Sequence, residues 1–141
     1  MSRGCVFCDI VHGRLDSYSV YEDPATLVFL DHRPLLPGHC LVVPKVHYPA
    51  LADLSADEVG PYFQVVQRLA AAVERAFQAD GAFVAANIRV SQSVPHLHVH
   101  VVPRRQGDGL FSRNFVWMRR PYPSQEAITQ AQQAIRQALR D

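Results

Sequence analysis

The stretch Ser19-Val20-Tyr21-Glu22-Asp23-Pro24-Ala25-Thr26-Leu27-Val28-Phe29-Leu30 holds two short apolar runs on either side of Asp23-Pro24. Proline presets φ for a turn, and an Asp carboxylate bonds backbone amides just ahead of it, so the pair marks a chain reversal. Residues 19–21 and 26–30 are therefore expected to form a β-hairpin. A second turn runs from Pro34 to Gly38, and His39-Cys40-Leu41-Val42-Val43 follows as a mostly apolar strand that ends at Pro44. Ala82 to Asn87 and His96 to Val102 read as two further strands, separated by the polar loop Arg89 to Ser93.

Between these strands, Ser55-Ala56-Asp57-Glu58 has the form of a capping box, in which each end satisfies an orphan backbone donor. Val59, Phe63, Val66, Leu69 or Ala70, Val73 and Phe77 then recur at helical spacing. Pro61 lies too deep for the first turn, which predicts a kink or a restart there. Asp80-Gly81 ends the helix. From Ser124 onward, Ile128, Ala131, Ile135 and Leu139 share one face of a short C-terminal amphipathic helix. Hairpin strands with one long helix point to an α+β fold built on an antiparallel β-sheet. No Gly-x-Gly-x-x-Gly or Walker-type loop is present.

The 141 residues suffice for one domain, and no repeat or low-complexity linker divides them, so residues 1–141 are read as a single domain. Hydrophobic residues make up 48%, charged residues 19%, and the net charge is +1. That composition is globular, and a general nucleic-acid binder would be more basic. No apolar run approaches a membrane span, and the N-terminus lacks a signal-peptide pattern, which predicts no membrane association and a cytoplasmic location. Of the 14 basic residues only Lys45 is Lys. Five of the Arg (Arg104, Arg105, Arg113, Arg119 and Arg120) crowd one segment whose only acid is Asp108. Arg forks suit phosphate oxygens, although a solvated basic edge has the same composition.

His96-Leu97-His98-Val99-His100 places three of the seven histidines within five residues. In an extended segment alternate side chains share a face, about 6.6 Å apart along the chain. Three imidazoles on one face are a poor choice for packing, where Val or Thr would serve better. Two chemistries fit: a metal site, or nucleophilic catalysis in which one ring attacks phosphorus while its neighbours hold phosphate oxygens. The donors of Ser91-Gln92-Ser93 just upstream favour a phosphate ligand.

His96-Leu97-His98-Val99-His100-Val101-Val102 resembles the signature of the histidine triad nucleotide hydrolases and transferases. Cys5-Val6-Phe7-Cys8-Asp9-Ile10, Phe29-Leu30-Asp31 with Pro37-Gly38-His39 through His47, and Gln92-Ser93-Val94-Pro95 agree in order and approximate spacing. The likeness covers a core of roughly residues 5–105 and leaves 106–141 as a C-terminal extension. It implies that His98 attacks the α-phosphorus of a nucleotide to form a covalent nucleotidyl-histidine, which water or another acceptor resolves. His100 and His39 would contact the phosphate and orient the nucleophile. Ser93 would donate to phosphate or leaving-group oxygens, with Asn87 and Gln92 nearby, and Asp31 would accept from ribose hydroxyls. Phe7, Ile10 and Phe29 match the family's apolar base pocket, though ordinary core packing explains them nearly as well. The substrate would be a purine nucleotide, as a phosphoramidate or a dinucleoside polyphosphate, and the protein a homodimer.

Cys5-x-x-Cys8 alone fits zinc, redox chemistry or neither. Family members with this pair imply a structural Zn²⁺ held by Cys5, Cys8, His47 and His96, two thiolates and two neutral imidazoles giving a closed tetrahedral site. Cys40, among apolar neighbours, reads as a buried small side chain. The family's Gly-rich loop before Ser-Val is replaced by Asn87-Ile88-Arg89-Val90-Ser91, which introduces a cation. Arg89 and the Arg104–Arg120 segment are expected to favour polyphosphate leaving groups. Two other readings remain open at this point: a mononuclear zinc hydrolase using the His row as ligands, and a nucleotide-binding or interaction protein without turnover.

Overall fold

The hairpin forms as its turn chemistry requires in the computed structural model, which describes residues 4–141. The Asp23 carboxylate accepts from the Ala25 and Thr26 amides at 2.9 and 2.8 Å, closing the turn between β1 (Ser19–Glu22) and β2 (Thr26–Leu30). With β3 (Cys40–Pro44), β4 (Gly81–Ala85) and β5 (Val99–Arg104) these strands make a five-stranded sheet in the order β1-β2-β3-β5-β4. Every neighbouring pair is antiparallel. The fold is the α+β arrangement expected.

The row of histidines enters β5 later than its alternation suggested. The ladder between β3 and β5 reaches back only to Val42 opposite Val99, although β3 itself runs on to Pro44. His96 to His98 precede the strand and find partners off the ladder, the Leu97 amide donating to Tyr48 O at 2.7 Å. At its other end β5 runs on to Arg104, because β4 supplies a partner in Gly81. β4 itself closes at Ala85, two residues short of Asn87.

Helix α2 (Ala56–Phe77) begins with the expected capping box, the Glu58 carboxylate accepting from the Ser55 amide at 2.8 Å. It runs through Pro61 without a break. Both Pro61 and Asp57, whose carbonyl loses its donor, are exposed, so that carbonyl is open to solvent and the break is not forced. The buried stripe is Tyr62, Val65, Val66, Leu69, Ala72 and Val73, whereas Val59 and Phe63 lie exposed. The Tyr62 hydroxyl donates to Val42 O at 2.8 Å, which lets a polar side chain occupy a core position. Helix α3 (Gln125–Arg140) buries Ile128, Ala131, Ile135 and Ala138 against α2 and β1, with Leu139 only half-buried.

Both faces of β2 and β3 are covered, so all ten of their residues are buried. Val28, Leu30, Cys40, Val42, Val99 and Val101 pack beneath α2 and α3. Leu27, Phe29, Leu41 and Val43 face the other way, onto Cys5, Phe7 and Cys8. The last three belong to α1 (Val6–Val11) and its N-cap, a six-residue helix not foreseen in the sequence. Cys40 is fully buried, and burial pushes its thiol pKa up. The segment between β5 and α3 folds back along the β2–β3 connection, with Arg120 N donating to Pro34 O and Gly38 N to the Tyr122 hydroxyl, each at 2.8 Å. Gly38 sits at φ +93°, and a Cβ there would lie 2.5 Å from the Phe77 ring, so this turn requires glycine. Among the described residues no helix is long and apolar enough to cross a membrane.

Candidate active site and metal cluster

A cavity of about 780 Å³ opens on the α1 face of the sheet. Phe7 and Ile10 reach it from α1, Phe29 and Asp31 from β2 and the residue after it, Ser93 and His98 from the segment leading into β5, and His100 from β5 itself. Seven residues singled out from the sequence thus converge on one space. His39 stands behind them, fully buried and hydrogen-bonded to His100. Asn87 and Gln92 do not line the cavity. Gln92 instead holds the preceding loop, accepting from Arg89 N at 2.8 Å and donating to Pro49 O at 2.7 Å. Arg89 and Ser91 take positive φ (68° and 60°) in that loop, the conformation a glycine would adopt freely.

Fixed partners set the proton on each ring. His98 Nδ1 lies 2.8 Å from the carbonyl of His96, and a carbonyl only accepts, so Nδ1 carries the proton and Nε2 keeps its lone pair. The Leu35 amide donates to His39 Nδ1 at 3.0 Å, which leaves the His39 proton on Nε2. That proton is donated to His100 Nδ1 at 2.9 Å, so neutral His100 carries its own proton on Nε2. Burial is the main cause that lowers all these pKa values: His39 to about 4, His100 to about 3, and His98 below its ordinary value. The three rings are neutral at pH 7.

His96 faces elsewhere. Its Nε2 donates to Pro44 O at 2.8 Å, and its Nδ1 approaches Cys5 Sγ at 3.4 Å, Cys8 Sγ at 3.6 Å and His47 Nδ1 at 3.1 Å. The four ligand atoms of Cys5, Cys8, His47 and His96 all lie within 4.8 Å of one another. Two sulfurs and two ring nitrogens brought this close form the donor set of a closed tetrahedral metal site. The His96 carbonyl–His98 bond then connects this cluster directly to the cavity.

The sequence did not single out Arg119 among its neighbours. Of the five Arg between 104 and 120 it alone lines the cavity, where its Nη1 meets Asp31 Oδ2 at 2.5 Å. Arg104 is engaged by Asp108 and Leu110 O, Arg105 donates to Phe77 O, and Arg120 lies over the Phe115 ring. Arg89 is exposed outside the cavity. Trp117 packs edge-on against His100, ring centroids 5.1 Å apart.

Residues 12–107 match the family model described as HIT domain. An uncharacterized HIT-like protein of Saccharolobus solfataricus is 37% identical, the match covering 97% of this chain and 99% of its own. A zinc-bound histidine triad family protein from Mycobacterium smegmatis superposes with a TM-score of 0.84 at 38% identity, over 97% of this chain and 94% of that one. Two relatives bear names that state an activity. An adenylylsulfatase of Arabidopsis thaliana is 32% identical over 79% of this chain and 58% of its own. An asymmetrical bis(5'-nucleosyl)-tetraphosphatase of Schizosaccharomyces pombe is 34% identical over 67% of this chain and 52% of its own.

Proposed function

The chain belongs to the HIT domain family of nucleotide hydrolases and transferases, and from that premise we propose that it acts at the α-phosphate of a purine nucleotide through a covalent intermediate on His98. The observation that carries this reading is the His98 Nδ1–H bond to the His96 carbonyl, which leaves Nε2 as the free nucleophilic atom of a cavity-lining ring. Nε2 attacks phosphorus, a P–Nε2 bond forms, and the bond to the leaving group breaks with its electron pair going to that group. Water then adds to phosphorus, the P–Nε2 bond breaks with its electron pair returning to the ring, and the water gives up a proton to solvent, which releases the nucleoside monophosphate and a neutral imidazole.

His100 Nε2–H is the donor for a phosphoryl oxygen, aimed by the His39 bond to its other nitrogen. Ser93 adds a donor at the same rim, Asp31 accepts from the ribose hydroxyls, and Phe7, Ile10 and Phe29 take the base. The two relatives named for activities split quite different leaving groups, so the phosphoramidate or polyphosphate identity of this enzyme's substrate rests on the panel below. Arg119 is the one Arg of the basic segment that lines the cavity, and Asp31 engages it there, so the segment lends a polyphosphate preference no separate support.

Cys5, Cys8, His47 and His96 would hold a structural Zn²⁺, a reading supported by the donor set and by the zinc-bound relative. The metal supplies a cross-link between the N-terminal segment and the chain entering β5. What speaks against a three-His metal site is His96, whose ring nitrogens engage Pro44 O on one side and Cys5, Cys8 and His47 on the other, away from His98 and His100. A homodimer formed along the open edge of β4 and a cytoplasmic location, where thiolate ligands stay reduced, complete the reading.

Product analysis over a small panel of nucleoside phosphoramidates and dinucleoside polyphosphates tests it. Wild type should release a nucleoside 5'-monophosphate and yield a trapped nucleotidyl-protein on acid quench. His98→Ala should abolish both while keeping the wild-type circular dichroism, a loss of at least about 10³-fold for a removed nucleophile. Turnover that persists in His98→Ala, or that stops at once on adding chelator, would overturn the mechanism.

A further inference from the structure

Arg119 lies 88 residues from Asp31 in sequence, yet its Nη1 donates both to Asp31 Oδ2 at 2.5 Å and to the Arg33 carbonyl at 2.6 Å. The other carboxylate oxygen, Oδ1, accepts from the Arg33 amide at 3.0 Å. Each oxygen of Asp31 therefore has one protein donor and retains a lone pair for another. The side chain of Asp31 is only 8% exposed and lines the cavity, so those lone pairs meet whatever occupies it. Arg119 is not a loose surface cation. Its neighbours on both sides are anchored, Trp117 against His100 and Arg120 N on Pro34 O.

A cis-diol needs two acceptors at fixed spacing, and a carboxylate provides them only if its plane is fixed. The Arg119 guanidinium and the Arg33 amide fix that plane from two directions, and the guanidinium offsets the carboxylate's charge in a cavity that must admit an anionic nucleotide. We propose that Arg119 is a specificity-determining residue that aims the Asp31 carboxylate at the ribose hydroxyls and so makes the site selective for ribonucleotides. This rests on the nucleotide reading given above and adds to it a residue outside the histidine row. The C-terminal extension thereby contributes to substrate choice through Asp31 rather than through the leaving group.

Calorimetric titration with a purine nucleoside 5'-monophosphate and its 2',3'-dideoxy counterpart tests the proposal on the full chain. Wild type should bind the ribonucleotide about tenfold tighter or more, as expected when a buried charged acceptor is left without its partner. Arg119→Gln should bring that ratio close to one, chiefly by weakening the ribonucleotide, with the dideoxy form changed little. Arg119→Lys keeps the charge without the planar fork, should restore part of the ratio, and gives the test if the Gln variant fails to fold. An equal loss for both ligands in either variant would overturn the proposal, since it would mean a phosphate contact or a general anchoring role. Wild type that binds both ligands without preference would overturn it too, leaving the His98 mechanism standing. No binding of either ligand by wild type would overturn the nucleotide reading and this inference together.

Discussion

His39 shows how much a single buried ring can decide. It is fully buried, its Nδ1 accepts from the Leu35 amide, and its Nε2–H is donated to His100. Replacing it with Leu, close in volume, leaves one buried donor and one buried acceptor without partners. Each such orphan costs about 1–3 kcal/mol, so His39→Leu should lower the urea midpoint by the equivalent of at least about 2 kcal/mol. It also frees His100 to place its proton on Nδ1, which removes the Nε2–H donor from the phosphate. The expected result is a fall in kcat well beyond tenfold with KM changed less, because the donor matters most as charge develops. Unchanged kcat in the folded variant would show that the His39–His100 bond does not govern catalysis. Sequence alone could not have derived this role: His39 and His100 are 61 residues apart, and only likeness to the triad family joined them. Arg119 was visible as one basic residue among five, and nothing in composition distinguishes the one that reaches the cavity.

At the scale of elements, the parts legible in the sequence are those whose causes are local. Asp23-Pro24 closes its turn with Asp23's own carboxylate, and Ser55 with Glu58 caps α2 by contacts within four residues. The parts that were not legible depend on partners distant in sequence. β5 takes its register from Cys40, Leu41 and Val42 while the segment before it bonds the carbonyls of Pro44 and Tyr48, and the Tyr62 stripe of α2 is selected by the carbonyl of Val42. Helix α1 is too short for helical periodicity to show. β4 also depends on distant contacts, on one side only: β5 occupies one edge, and among the described residues no strand pairs with the other, along Gly81-Ala82-Phe83-Val84-Ala85, which carries no charge. An uncharged open edge is a template for a second strand, and Val84 is 44% exposed beside it. Sedimentation should accordingly find a dimer for wild type and a monomer for Val84→Lys, with the fold retained in both. A monomeric wild type would remove the edge-pairing proposal.

Across the whole molecule, the histidine row makes stability depend on pH in a definite direction. His39 and His100 have folded pKa values near 4 and 3, against about 6.5 in an unfolded chain. Between pH 6.5 and 4 the unfolded chain binds protons at these rings that the folded chain refuses. The stability from keeping them neutral is therefore whole above pH 6.5 and is lost progressively as pH falls through that window. Each ring contributes a slope of up to about 1.4 kcal/mol per pH unit, and the slope flattens once the folded rings begin to protonate. Acid also displaces a metal from thiolate and imidazole ligands, and that loss would steepen the same limb. The two causes separate in the His39→Leu protein, which retains Cys5, Cys8, His47 and His96 but has one buried ring fewer. Urea midpoints measured at steps from pH 7.5 to 4.5 should fall for both proteins, and the variant's curve should be shallower by about one ring's slope. Parallel curves would assign the acid sensitivity to the cysteine–histidine cluster and show that His39 titrates in the folded protein much as it does in the unfolded chain.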